Sequence, residues 1–292
     1  MADAFSRYHP FVNFLYFALV LGFSMVFMHP VCLLISLVCA ITYSVYLNRG
    51  KAVSFSLKYM LPILILTAAI GPLFNHAGVT IIGYFGSGNP LTFESIVYGI
   101  AAAVMLITVI SWFSCFNVVI TSDKFVYLFG RAIPSLSLIL AMALRLVPRF
   151  KAQAKVISGA QRCIGRDIST GNILTRARNG IKILSILVTW ALENAVDTAD
   201  SMKSRGYGVP GRTAFSIYRF DKRDGMITLF LLICGAYIIT GAACSGLRFR
   251  YFPAIAGAAS GAYFYSLVFV YFAMCIAPVA INIREYRAWK VS

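Results

Sequence analysis

The sequence predicts an all-α fold: a polytopic membrane helix bundle of about six spans, joined to a pair of long helices on the cytoplasmic side. Three observations predict it. The 292 residues are 60% hydrophobic and only 12% charged, about half the charge of a typical soluble domain. Apolar residues come in runs near the roughly 17–25 helical residues needed to cross a hydrocarbon core of ~30 Å. Charge is unevenly spread: 17 of the 26 Lys and Arg, and seven of the ten acidic residues, lie in residues 121–224, giving that block +10 of the chain's net +16.

Taken in order, residues 11–28 and 31–47 form the first two spans, separated at Met28-His29-Pro30 because proline breaks a continuous helix. Both are near the short limit, so a hairpin that does not fully cross is compatible with them. The third span is about 59–74, and a Gly- and Asn-rich loop without Lys or Arg follows to residue 93. The fourth is about 94–120, the fifth 226–244 and the sixth 257–281. Lys and Arg resist translocation. Arg7, Arg49, Lys51, Lys58, the 121–224 block, Arg284, Arg287 and Lys290 therefore fall on the cytoplasmic side with both termini, while Arg248 and Arg250 are exceptions placed outside. The expected organisation is 1–120 membrane helices, 121–224 a basic cytoplasmic segment, and 225–292 membrane helices. The opening residues lack the basic start and small-residue cleavage site of a secretory signal.

Within 121–224 two long helices are expected. One runs from about 133 to 164, apolar at first and amphipathic after Pro148, which should kink or divide it. The other runs from about 174 to 204, apolar over 181–192 and charged at its ends. Lys155, Arg162 and Arg166 recur at helical spacing on the first, and Glu193, Asp197 and Asp200 on the second. The two stripes invite packing between the helices, with Arg145 as a further participant; two solvated faces are the plainer alternative, since exposed pairs contribute only about 0–1 kcal/mol. Ser204-Arg205-Gly206, followed by Tyr207-Gly208, reads as a helix end closed by a left-handed glycine, with a cation that the helix dipole favours. That structural reason applies at many helix ends. Gly257 and Gly261, spaced by three residues, offer a small-residue face for close helix approach.

The order of these features carries a resemblance. "YHPFVN" precedes the first span, "LILAMALRLVPRFKAQAKVISGAQRCIGRD" spans the first long helix, and "ADSMKSRGYGVPGRT" closes the second. Together they resemble the transmembrane (T) component of energy-coupling factor transporters, vitamin and metal importers related to ABC transporters, including the cobalt-importer permease. In that family two Ala-Arg-Gly signatures end two coupling helices, and each arginine contacts a groove on one of two cytoplasmic ATPases. The resemblance implies that Arg205, with Ser204 and Gly206, is one docking end, Ser204 standing in place of alanine. The other end departs from the pattern: Cys163-Ile164-Gly165 carries isoleucine where arginine is expected, flanked by Arg162 and Arg166. The resemblance implies two ATPases, and this departure is compatible with their being different proteins, with one groove adapted to a less basic helix end. A separate substrate-binding membrane subunit, the S component, is implied as well, in a bacterial or archaeal cell membrane.

Other classes fit less well. The spans offer no paired acid and base for an embedded enzyme, and no Gly-x-x-x-x-Gly-Lys-Ser/Thr stretch for ATP is present. The seven cysteines, mostly in apolar runs and without Cys-x-x-Cys spacing, suggest neither a zinc site nor a disulfide framework. No cofactor, metal or nucleic-acid partner is expected; the lipid bilayer is. The alternative is a self-sufficient secondary transporter, although no inverted repeat or central charge marks one.

Overall fold

The computed structural model describes residues 3–48, 56–84, 90–130, 134–167, 169, 171–209, 218–244, 247, 249–257 and 261–291. The expectations for Arg49, Lys51, Arg248 and residues 210–213 lie outside them.

Among the described residues, nine α-helices carry the architecture: α1 (Pro10–Val26), α2 (Pro30–Asn48), α3 (Leu61–Phe74), α4 (Phe93–Val119), α5 (Ser122–Gly130), α6 (Pro134–Cys163), α7 (Ile173–Ser204), α8 (Lys222–Ala243) and α9 (Ala262–Val291). The fold is an all-α membrane bundle. Among the described residues, four helices, α2, α4, α8 and α9, are long and apolar enough to cross a membrane, and α1 and α3 are shorter apolar helices. Helix starts follow local chemistry. Proline opens α1 and α2, where its missing N–H costs nothing, and the His9 Nδ1 ahead of α1 accepts the Phe11 N–H at 3.3 Å. Asp221 and Asp224 form a reciprocal capping box at α8.

The chain separates into two compact units, one of residues 1–121 with 218–292, the other of residues 122–217. In the first, α4 packs against α1, α2 and α3, while α9 packs against α2 and α8. Trp112, Tyr16, Tyr43 and Tyr271 fill its centre. A buried polar chain ties four helices: the Trp112 indole N–H donates to Ser36 Oγ at 2.9 Å, Ser36 Oγ lies 2.8 Å from Ser24 Oγ, and Ser24 lies 3.4 Å from the Tyr271 hydroxyl. The N-terminus is held at the same unit. The Ala4 N–H donates to Asn282 Oδ1 at 2.7 Å, while Asn282 Nδ2 and the Tyr43 hydroxyl donate to Asp3 at 2.5 and 2.9 Å.

Among the described residues, two short antiparallel hairpins were not expected. Strands β1 (Ile81–Tyr84) and β2 (Pro90–Thr92) pair ahead of α4, and β3 (Phe249–Arg250) pairs with β4 (Ala256–Gly257). The second corrects the sixth span. Gly257 lies in a strand and Gly261 precedes α9, so the pair forms no helix face. Pro253 and Gly257 interrupt residues 249–257, and the Tyr251 hydroxyl fixes the hairpin by donating to the Met28 carbonyl at 2.6 Å. Close helix approach occurs elsewhere, at Gly71 on α3 and Gly99 on α4. A Cβ on Gly71 would stand 2.7 Å from the Gly99 Cα, and one on Gly99 would stand 2.7 Å from the Ala68 carbonyl oxygen.

Candidate functional site

The second unit contains α5, α6 and α7. Helix α6 runs unbroken through Pro148, so that proline does not divide it. Asp167 organises the described residues between α6 and α7. Its carboxylate accepts from the Ser169 N–H at 3.1 Å and the Ser169 hydroxyl at 2.6 Å, and lies 3.3 Å from the Arg162 guanidinium; its carbonyl accepts from Asn179 Nδ2 at 3.1 Å. The Asn172 side chain then caps α7 by accepting the Ile173 N–H at 2.9 Å.

The two helices meet through aromatic contacts. The Phe150 and Trp190 rings stand 5.8 Å apart, edge to face, and the Arg149 guanidinium lies 5.6 Å from the Trp190 ring centre. Such cation–π and aromatic pairs contribute about 0.5–1.5 kcal/mol each. Sequence reasoning missed these three residues, because nothing in single-helix spacing shows which residues meet across two helices.

Both helices end in the same way. At α6, the Gly165 N–H donates to the Arg162 carbonyl at 3.0 Å and the Arg166 N–H to the Gln161 carbonyl at 2.9 Å, with Gly165 at φ +75°. At α7, the Gly206 N–H donates to Lys203 and the Tyr207 N–H to Met202, both at 3.0 Å, with Gly206 again at φ +75°. These paired bonds define a Schellman end, whose reversing residue needs positive φ and therefore glycine. By these bonds the two ends correspond residue for residue: Ile164 follows the last residue of α6 as Arg205 follows that of α7, Gly165 matches Gly206, and Arg166 matches Tyr207. Ile164, Arg205, Arg166 and Tyr207 are all exposed, and Ser204 turns its hydroxyl back to the Ser201 carbonyl at 2.9 Å.

The distances from the crossing to the two ends nearly match. Fourteen residues separate Phe150 from Ile164 and fifteen separate Trp190 from Arg205, or ~21 and ~22 Å at about 1.5 Å per residue. The end of α6 lies beside the start of α7, where the Asp167 carbonyl accepts from Asn179 Nδ2. The pair thus presents two equivalent backbone termini bearing different side chains.

The expected charge stripes do not pack on each other. Arg145, Lys155, Glu193, Asp197 and Asp200 are all exposed, and none of them forms an ion pair among the described residues. Arg162 pairs with Asp167 instead, and Arg7 with Glu285 at 4.0 Å. Arg166 is also off the helix face assigned to it, because Gly165 reverses the chain just before it. The Phe150 and Trp190 rings and the Arg149 guanidinium form contacts between the helices, and the charges of the two stripes remain exposed, where pairing yields little. One face of α7 is apolar and open: Ile181, Leu184, Val188, Leu192 and Val196 recur every three or four residues and are all exposed. That periodicity was present in the sequence and could have been found there.

Comparison with known proteins adds the following. The family described as cobalt transport protein matches residues 6–217. The chain is 35% identical over 115 residues to the energy-coupling factor transporter transmembrane protein EcfT of Lactobacillus helveticus, covering 38% of this chain and 41% of that protein. It is 32% identical over 105 residues to EcfT of Lactococcus lactis subsp. cremoris, covering 36% and 40% respectively. EcfT of Ruminiclostridium cellulolyticum is 28% identical over 220 residues, covering 71% and 80%. The first two alignments therefore span about two fifths of the relatives' length.

Proposed function

The chain belongs to the cobalt transport protein family, and from that premise we propose that it is the T component of an energy-coupling factor importer, a non-catalytic subunit that couples ATP hydrolysis by partner proteins to uptake of a micronutrient. Helices α6 and α7 are its coupling helices. Their two ends dock on two cytoplasmic ABC-type ATPases, and a separate S component in the membrane binds the substrate. Both termini and residues 121–224 face the cytoplasm in this reading, and residues 1–120 and 225–292 form the membrane part.

One observation carries the proposal: two helices crossing at Phe150 and Trp190 end at matched distances in the same glycine-reversed cap. A pair of matched, rigid, exposed ends suits a partner built as a dimer, because each half meets one end in the same backbone geometry. Arg205 is the contact at the α7 end. A guanidinium on a fixed helix terminus can hold a carboxylate by two parallel hydrogen bonds, which transmits displacement as well as attraction. When ATP draws the ATPases together, the ends move with them, and the aromatic crossing passes that movement along both helices. The open apolar face of α7 is the natural seat for the S component, since an exposed stripe of this size is costly in water and marks an interaction surface.

The test is co-purification. The tagged chain is expressed in a bacterial membrane with energy-coupling ATPases and compared with Arg205→Glu, whose fold is checked by helix content and elution volume. ATPases should accompany the wild type and be lost from the folded variant. A folded wild type that retains no ATPase, and that drives uptake alone along an ion gradient, would instead identify a self-sufficient secondary transporter.

A further inference from the structure

We propose that the membrane bundle holds the acyl chain of a phospholipid in a hollow between the C-terminal halves of α1 and α8. This goes beyond the coupling role and rests only on the bundle lying in a bilayer. The two helices start side by side, where the His9 N–H donates to Asp224 Oδ1 at 3.1 Å. They still touch midway, since a Cβ on Gly235 would stand 3.4 Å from Leu19 Cδ2. Beyond that point they part. Gly22, about one turn further along α1, borders open space: a Cβ there would meet nothing within 4 Å. The result is a partly open cavity of about 400 Å³ whose walls, among them Leu19, Gly22, Phe23, Phe27, Ile239 and Ala242, are all apolar.

The lining is rigid and excludes water. The Phe23 and Phe27 rings are buried and stack 5.4 Å apart, and Phe27 meets the Tyr271 ring edge to face at 6.3 Å, which holds that wall in place. Water does not enter a cavity that offers it no polar partner, and an unfilled one leaves its lining atoms without dispersion contacts. The medium at the mouth is hydrocarbon, with exposed Val26 and Ile239 at the rim. A chain moving in from the bilayer gains nothing from the hydrophobic effect, because lipid tails are already apolar; the gain is the contacts recovered. Size selects the occupant. A helix about 10–12 Å across takes roughly 420–610 Å³ per 5.4 Å turn, so the hollow holds no more than one turn and cannot seat a partner helix. An unbranched acyl chain is slender and flexible enough to follow it. Its headgroup then lies at the C-terminal ends of α1 and α8, in the outer leaflet of the orientation proposed above.

The experiment reconstitutes the full chain in vesicles of phosphatidylethanolamine and phosphatidylglycerol that contain a phosphatidylcholine with a photoactivatable diazirine on its acyl chain. Labelled residues are located by peptide mass spectrometry. Two isoleucines of α8 give the comparison: Ile239 lines the hollow and Ile233 does not, yet they are 56% and 60% exposed. Labelling at Ile239 should exceed that at Ile233 by about tenfold, a preference of about 1.4 kcal/mol. Gly22→Phe should fill the hollow and abolish the difference, whereas Gly22→Ala should keep it. The open space at Gly22 accommodates both, and helix content with elution volume checks the fold. Ala242→Leu, which fills the hollow from the facing wall, should act as Gly22→Phe does. Equal labelling of the two isoleucines in the wild type overturns the proposal, as does a difference that persists in both folded filling variants. Capture of a protein in place of lipid by a photo-crosslinking amino acid at Ile239 in native membranes also overturns it. None of these outcomes touches the coupling role, which the ATPase co-purification decides separately.

Discussion

Gly99→Ala tests the close crossing of α3 and α4. The added Cβ would lie 2.7 Å from the Ala68 carbonyl oxygen, a backbone atom, and Pro72 Cδ would be 3.2 Å away. Ordinary contact begins near 3.4 Å, so the helices must separate by roughly 0.7 Å. Such overpacking costs about 1–3 kcal/mol, and no flexible side chain is available to yield. Gly71→Ala meets the same obstacle from the other side, with its Cβ 2.7 Å from the Gly99 Cα. One displacement relieves both clashes, so the double variant should cost well below the sum of the two singles, a coupling of at least about 0.5 kcal/mol. The assay is reversible unfolding in mixed micelles with a dodecyl sulfate titration, followed by tryptophan fluorescence. Strict additivity, or a neutral Gly99→Ala, would refute the argument, because either would mean that the helices do not share a close contact there.

Three further outcomes are expected. Ser36→Ala leaves the buried Trp112 N–H without its 2.9 Å acceptor and should destabilise by about 1–3 kcal/mol in the same titration; adding Trp112→Phe, which removes the donor, should recover part of the polar penalty. Gly206→Ala places a side chain at φ +75° and should lower the melting temperature of the coupling pair, at a cost of about 1 kcal/mol, as read from hydrogen exchange at residues 202–207. His29 supplies a pH dependence. Its ring is buried against Phe249 and Phe264, and its Nδ1 accepts the Val31 N–H at 3.3 Å. Burial holds its pKa below the usual value, so the unfolded chain binds the proton more readily. Stability should be flat above about pH 6.5 and fall as pH drops below it; melting curves from pH 8 to 5 should show the slope, and His29→Asn should remove it.

The sequence by itself determined where most of the helices of this protein lie, though neither hairpin. Runs of apolar residues gave the membrane helices, because a chain in hydrocarbon must satisfy its backbone internally and a helix of sufficient length does so. The positions of Gly165 and Gly206 determined where α6 and α7 stop, because only glycine reverses there without strain. The expected spans of 133–164 and 174–204 accordingly lie close to Pro134–Cys163 and Ile173–Ser204. The order of the three quoted segments carried the family.

Only the tertiary structure decided which residues meet. Spacing along one helix pointed to Gly257 and Gly261, yet close approach belongs to Gly71 and Gly99, single glycines 28 positions apart on different helices. Spacing also suggested pairing between Lys155 or Arg162 and Glu193, Asp197 or Asp200; Phe150 and Trp190 meet instead. The physical reason is common to both. A periodic pattern reports which side chains share a face, but a contact depends on where two faces cross, and that is set by the packing of whole helices and the turn that joins them.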